Sequence, residues 1–393
     1  MSIVSDFSWH SKATYFTLAC LCLLSLNPFI IWSFSVEIRA AVLLSLLVML
    51  VLKCKFSVVN IMIGSLLGSC TFLYFYLFGN SFLGCMYSAA FIFLLLQYDA
   101  HLLSKTFTLF KYFFVFSLIP GGLLWVYHHI TGDYQAFSVG SIEPLMSEVK
   151  SEKNQLYTVY PLSIVLDHML VGSGYRLFGV YDEPGVVGTF SALFLAADKF
   201  NFKKIENLLI FVFGVISFSL AFYVLVAISC LMYSFKKPFF FLCALISLIS
   251  IPFFAQFEIF EQRVLSRFEV TANGISGDNR SSVNLDNEFD KWMSSSARPL
   301  ILGEADYEKT GDSSWKQIPL RVGLLGTLFF FIILGAVFFF HVRKIDYYGL
   351  VFLLIFFASI YQRPNVITPA YLIIFLFPFL NYIRCTTFSE KET

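Results

Sequence analysis

Charge is scarce in this sequence. Of its 393 residues only 13% are Asp, Glu, Lys or Arg, and the net charge is +1. That balance offers no basic surface for nucleic acid. Metal-ligand spacing is missing too. Cys20, Cys22, Cys54, Cys70, Cys85, Cys230, Cys243 and Cys385 form no CxxC pair and lie in or beside apolar runs. Neither a disulfide framework nor a zinc site follows from them. No Gly-rich phosphate loop, HExxH helix or GxSxG elbow occurs, so the familiar signatures of soluble nucleotide, metal and hydrolase chemistry are absent.

What the chain has in abundance is apolar surface: 58% of residues are hydrophobic and 49 are Phe. A soluble domain of this length cannot hide that much, so the solvent is lipid. Asp6 and Lys12 precede the first apolar run and no small-residue cleavage site follows, which reads as an uncleaved first span. Twelve runs qualify as spans: 14–33, 38–52, 57–78, 82–98, 109–128, 185–199, 205–217, 219–235, 238–254, 319–341, 347–361 and 367–383. The expected fold class is an all-α polytopic membrane protein. It divides into five N-terminal helices (1–130), a polar segment (131–184), helices six to nine (185–254), a large polar loop (255–318), and three final helices with a tail (319–393).

Direction follows from the cations. Lys203 and Lys204 precede the apolar stretch 205–235, and Lys236 and Lys237 follow it. Lysines on one side at both ends require an even number of crossings, hence a hairpin near Ser217-Phe218-Ser219. With that hairpin, Lys12, Lys53, Lys55, Lys105, Lys111, Lys199, the four lysines just named, Arg343, Lys344, Arg384 and Lys391 share one side. By the positive-inside rule that side is cytoplasmic and holds both termini. The other side carries Arg39, Arg176, Arg263, Arg267, Arg280, Arg298, Arg321 and Arg363, with five lysines among them (150, 153, 291, 309 and 316). Topogenesis does not account for these arginines. Arginine presents a fixed fork of donors that matches phosphate and carboxylate, whereas lysine is a point charge.

Two outer regions carry the candidate chemistry. In the first, Tyr175-Arg176 precedes Asp182-Glu183-Pro184-Gly185-Val-Val-Gly188. Pro184 suits the first helical turn with Glu183 at the cap. Arg176 and the helix N-terminus both favour ionised carboxylates there, and Gly185 and Gly188 permit close approach of a backbone or a ligand. The plain alternative is a capped helix with a surface ion pair. In the second region, Glu258–Val270 has helical periodicity with Arg263 and Arg267 on one face. Gly277-Asp278-Asn279 then leads to Arg280, and Phe289 and Trp292 mark a short amphipathic helix ending before Arg298-Pro299. Leu302-Gly303, Glu304, Asp306 and Asp312 follow, and Arg321 with Gly323 and Gly326 opens the next span. A solvated charge is the plain reading of any one of these arginines; Arg267 and Arg280 stand out as a pair. His128 and His129 read as interfacial anchors, and His168 has no partner by spacing.

The order Arg176, Glu183-Pro184-Gly185-Val-Val-Gly188 and the hairpin Gly214-Val-Ile-Ser-Phe-Ser-Leu220 resembles bacterial O-antigen polymerases. The sequence of Arg267, Arg280, Trp292, Leu302-Gly303 and Gly323 to Gly326 is similar to the large loop of the wider O-antigen polymerase and ligase superfamily. The resemblance runs from about 170 to 340. It implies a GT-C-like membrane enzyme of the bacterial inner membrane with two large periplasmic segments. Its donor and acceptor are oligosaccharide repeat units on undecaprenyl pyrophosphate, and membrane lipid and a chain-length regulator protein are the further partners implied. Arg176, Arg267 and Arg280 are expected to hold the pyrophosphate, with Arg263, Arg298, Arg321, Tyr175, Gly185 and Gly188 around the substrate. Glu183, then Asp312, is the first candidate for a base or an arginine-orienting carboxylate. Neither a metal nor a cofactor is needed, since arginines can supply the charge. Ligases of the superfamily carry a histidine near the end of the loop. The matching place here, Gly311-Asp-Ser-Ser-Trp-Lys316, has none. A ligase and a polysaccharide flippase or other transporter are the competing readings; no half-to-half repeat supports the latter.

Overall fold

A computed structural model describes residues 9–51, 57–143, 156–170, 175–236, 270–271, 274–275, 283–303, 314–342 and 344–380. Most of these residues are helical. The first five helices are α1 (Trp9–Leu24), α2 (Val36–Val51), α3 (Val58–Leu77), α4 (Phe82–Leu95) and α5 (Ala100–Thr131). Next come α6 (Pro184–Ala197), α7 (Ile205–Ile216) and α8 (Leu220–Ser234). Then follow α9 (Val283–Met293), α10 (Ala297–Leu302), α11 (Gln317–His341), α12 (Tyr347–Gln362) and α13 (Pro369–Leu380). A helix overlaps each of eleven of the twelve expected spans; the remaining one, 238–254, lies outside the described residues. Among the described residues, α3, α5 and α11 are long and apolar enough to cross a membrane, and the other apolar helices run 10–17 residues.

Local chemistry sets the helix ends. Helix α1 stops nine residues before the expected end of its span. Asn27, at φ 54°, precedes Pro28, and the residue before proline is pushed out of the helical region. Helix α5 is longer than expected. Asp99 caps it by accepting from the Leu102 amide at 2.7 Å, and Gly132 in the left-handed region closes it. Its 32 residues extend about 48 Å, well beyond a hydrocarbon core of roughly 30 Å. The stretch 205–235 does break at 217–219, with Phe218 at φ 44°, giving the two helices α7 and α8.

The expectation of purely helical structure needs correction in two places: 270–271 pairs antiparallel with 274–275, so Val270 is extended and not helical, and a larger sheet lies earlier in the chain. Strands β1 (Gly140–Ile142), β2 (Tyr157–Tyr160) and β3 (Ser163–Leu166) form an antiparallel sheet in the order β1-β2-β3. Tyr-Thr-Val-Tyr and Ser-Ile-Val-Leu are β-branched and aromatic runs. The two-residue link Pro161-Leu162 pairs Tyr160 with Ser163. The sheet buries Tyr157, Tyr160, Ile164 and Val165 against Trp32, Tyr175 and Phe178.

Helix α6 is the centre of the bundle. All fourteen of its residues are buried. It packs against α7, α8, α12 and α13, and Phe194 meets Phe107, Phe110 and Phe114 of α5 at ring separations of 5.1–5.5 Å. A helix apolar on every side belongs in the interior. Both of its ends are charged, and those ends organise the rest.

Candidate functional site

The N-terminal end of α6 forms as the local sequence dictates. Pro184 occupies the first turn and Glu183 the cap, but the Glu183 side chain makes no capping bond to its own helix. Its Oε2 instead receives Nη2 of Arg363 at 2.7 Å. Arg363 comes from the end of α12, where its amide bonds the Ser359 carbonyl. Burial disfavours its positive charge. Glu183, Tyr371 and Asp182 outweigh that and hold its pKa above the ordinary arginine value. Its Nε is buried with no hydrogen-bond partner among the described residues.

Arg176 enters from the other side. It is 7% exposed and its Nε donates to the Ser217 carbonyl at 3.0 Å, in the turn between α7 and α8. One residue on, the Leu177 amide donates to the Ile216 carbonyl at 3.1 Å. Gly188 explains how this turn reaches α6. A Cβ there would lie 2.3 Å from Cβ of Ser219, so the close approach expected at this glycine is used by the α8 start. Asp182 is tethered as well, its carbonyl accepting from Tyr157 Oη at 2.9 Å. Gly185 is buried in the first helical turn. The structure therefore gathers Arg176, Asp182, Glu183 and Gly188 at one end of the bundle.

Tyr175 stands behind Arg176 as support. Its carbonyl accepts from Trp125 Nε1 at 2.8 Å, and its hydroxyl lies 3.1 Å from Nδ1 of His128. Burial, then Tyr160 and Tyr134, push its phenol pKa up. Burial acts on Tyr160 as well and, with Asp167 and Asp133, pushes its phenol up to about 12. His128 is not the interfacial anchor its position suggests. It is fully buried, and Nε2 lies 3.2 Å from the Ala136 carbonyl.

The second outer region supplies a separate unit. Trp292 of α9 is buried and donates Nε1 to the Pro299 carbonyl at 3.0 Å, fixing α10. At its C-terminus Gly303 (φ 83°) meets Gly323 (φ 63°) backbone to backbone. A Cβ on Gly303 would lie 2.3 Å from the Arg321 carbonyl, and one on Gly323 2.2 Å from the Ile301 carbonyl. Gly323 also breaks the regular dihedrals of α11. The Trp, the Leu-Gly pair and the Gly-x-x-Gly thus come together. Arg321 lies over the Phe78 ring at 4.7 Å, a cation–π contact, and Arg298 is exposed. Arg263, Arg267, Arg280 and Asp312 lie outside the described residues, and so does most of the helix expected over 258–270.

At the opposite end of α6, Asp198 follows the last turn. Lys111 of α5, 1% exposed, places Nζ 2.8 Å from Asp198 Oδ2, 3.0 Å from Asn207 Oδ1 and 3.3 Å from Glu206 Oε1. Lys204 reaches Asp198 at 2.9 Å, and Lys199 pairs with Asp346 at 3.3 Å. The expected division of cations therefore reappears as two ends of one helix, lysine at one and arginine at the other.

Sequence reasoning grouped Arg363 with the outer arginines but not with the site. Locally Arg363 does no more than close α12, ahead of Pro364. Among the described residues no group of three His, Cys, Asp or Glu side chains is arranged to hold a metal ion. No protein-family model, curated protein or solved structure matches the chain.

Proposed function

We propose that this chain is an O-antigen polymerase of the bacterial inner membrane, with twelve spans, both termini cytoplasmic, and the arginine end of α6 facing the periplasm. The observation that carries the reading is the placing of two arginines at this end of α6: Arg363 pairs with Glu183 at the helix start, and Arg176 bonds the Ser217 carbonyl in the turn whose Ser219 packs against Gly188. Charge at the mouth of a buried membrane helix is costly without a task, and two guanidinium groups suit a pyrophosphate.

In the proposed reaction a hydroxyl of the incoming lipid-linked repeat attacks the anomeric carbon of the growing glycan. The new C–O bond forms as the bond from that carbon to the pyrophosphate oxygen breaks. The leaving undecaprenyl pyrophosphate keeps the electron pair, and a base takes the hydroxyl proton. Arginines held in place before the reaction stabilise charge on the leaving oxygen at little reorganisation cost. Arg176 is the first of these, with Arg267 and Arg280 of the large loop joining it and Arg263, Arg298 and Arg321 around the glycan. Glu183 is the leading base, and Asp312 the second. A chain-length regulator is the protein partner that fits such a reaction.

Complementation tests this directly. In a polymerase-null strain the wild-type chain is expected to restore a ladder of surface-polysaccharide lengths. Arg176→Ala at equal membrane abundance is expected to leave a single-repeat product. Restoration of polymer attachment in a ligase-null strain, without a ladder, would replace polymerase by ligase.

A further inference from the structure

The pairing of Glu183 with Arg363 has an unusual asymmetry. An arginine usually meets a carboxylate through two parallel N–H donors. Here only Nη2 is engaged, at 2.7 Å, while the neighbouring Nε, on the same edge of the fork, is buried and has no hydrogen-bond partner among the described residues. A buried donor left unsatisfied costs about 1–3 kcal/mol. Glu183 is also the more accessible partner, with 29% of its side chain exposed against 20% for Arg363. Nothing ties that carboxylate to its own helix as a cap.

Resting on the reading above, we propose that Arg363 is a pyrophosphate-binding residue whose place is kept by Glu183 until substrate arrives. A phosphate group offers two oxygens to the Nε–Nη2 edge where Glu183 offers one, so the exchange satisfies the orphaned donor. The displaced carboxylate, no longer held by Arg363, then lies beside the anomeric centre. There it accepts the proton of the attacking hydroxyl as the C–O bond forms and the electron pair leaves with the pyrophosphate. The same contact thus prevents an idle base in the empty site and releases one in the loaded site. Arg363 acts on the leaving group and Glu183 on the nucleophile, so loading the first sets free the second.

The test uses the full chain in lipid nanodiscs with inorganic pyrophosphate as the probe, its dissociation constant measured by equilibrium dialysis. Removing Arg363 is expected to weaken binding by roughly tenfold or more, the value of one charge-assisted contact. Arg363→Lys is expected to fall between, since it keeps the charge and loses the fork. Glu183→Gln is the discriminating variant. With the competitor neutralised, pyrophosphate should bind more tightly by about threefold or more, while ladder synthesis is lost. Unchanged or weaker binding in Glu183→Gln overturns the exchange. Arg363→Ala takes a cation from the Glu183 carboxylate and can disturb folding. The double variant Glu183→Gln with Arg363→Ala removes both charges, and full recovery of binding in it also overturns the role of Arg363. The two levels separate cleanly. If binding responds as stated but the wild type builds no ladder, the polymerase reading falls and the anion exchange stands. If the ladder depends on Arg176 while Arg363→Ala binds and polymerises normally, the polymerase reading stands and the exchange falls.

Discussion

At one end of α6 the carboxylate of Asp198 meets Lys111, whose Nζ has three oxygen partners within 3.3 Å. About 20 Å away along the helix, Glu183 meets Arg363 through one Nη2–Oε2 contact while Nε has no partner among the described residues. The lysine is a compact charge that ties α5, α6 and α7 together through two hydrogen bonds and an ion pair. The arginine is a five-donor fork with capacity to spare at the end of the bundle that also holds Arg176. A completed buried network fixes structure. A partly used one is poised to take a ligand, and this difference separates the two ends by role.

The comparison breaks first, if it breaks, at Lys111. Replacing one member of a buried ion pair leaves the others uncompensated and costs about 3–5 kcal/mol. Lys111→Met is expected to lower the unfolding midpoint of the detergent-solubilised protein strongly and to cut membrane abundance. The polysaccharide made per folded molecule should be near normal. Normal stability with a lost ladder would put the lysine end into the chemistry.

Arg176→Lys makes the reverse demand. Charge is conserved and one bond to the Ser217 carbonyl is lost, so stability should fall by about 1 kcal/mol. Under the proposed polymerase reading, loss of a preorganised donor to the leaving group should cost about 100-fold in rate. The two are read from thermal unfolding and from the initial rate of polymer formation with purified lipid-linked repeats. A large stability loss with an intact rate would make Arg176 a strut.

Gly188 connects the buried helix to the turn that holds Arg176. Gly188→Ala sets a methyl 2.3 Å from Ser219 Cβ, and such overpacking costs about 1–3 kcal/mol. Ser219→Gly in the same chain removes the nearest clash and should return most of that loss in the unfolding measurement. Failure to recover would mean that Phe222, with Cβ 3.1 Å from the same methyl, sets the packing limit.

Much of this was legible in the sequence because its causes are local. Glu183 and Pro184 announce a helix start by cap and first-turn chemistry. The lysines at both ends of 205–235 pointed to a turn within it, and the stretch does break at 217–219 into two helices. Other features depend on distant partners and left no local mark. Arg363 finds Glu183 across 180 residues of chain, and locally it does no more than close α12. The three-stranded sheet hid in a segment taken as polar, because its strands are only three or four residues long. His128 read as an anchor since its burial depends on Tyr175 and Ala136. Helix lengths were overestimated where apolar runs continue past a chemical stop, as at Asn27-Pro28.

The smallest effect sharpens what covers the arginine end. Tyr160 in β2 donates its hydroxyl to the Tyr134 carbonyl at 2.6 Å, fastening the sheet near Tyr175. Tyr160→Phe should therefore cost about 1 kcal/mol at neutral pH. The wild-type phenol is pushed up to about 12 by burial, Asp167 and Asp133, whereas an unfolded tyrosine ionises near pH 10. The unfolded chain thus releases this proton first. The stabilisation is complete below pH 10 and declines as pH rises toward 12. Phenylalanine has no such proton, so the gap in unfolding midpoint between wild type and Tyr160→Phe should narrow above pH 10. A gap that stays constant from pH 8 to 11 would show that the hydroxyl contributes shape and not a protonated bond. The sheet would then be held over the arginine end by its aromatic core alone.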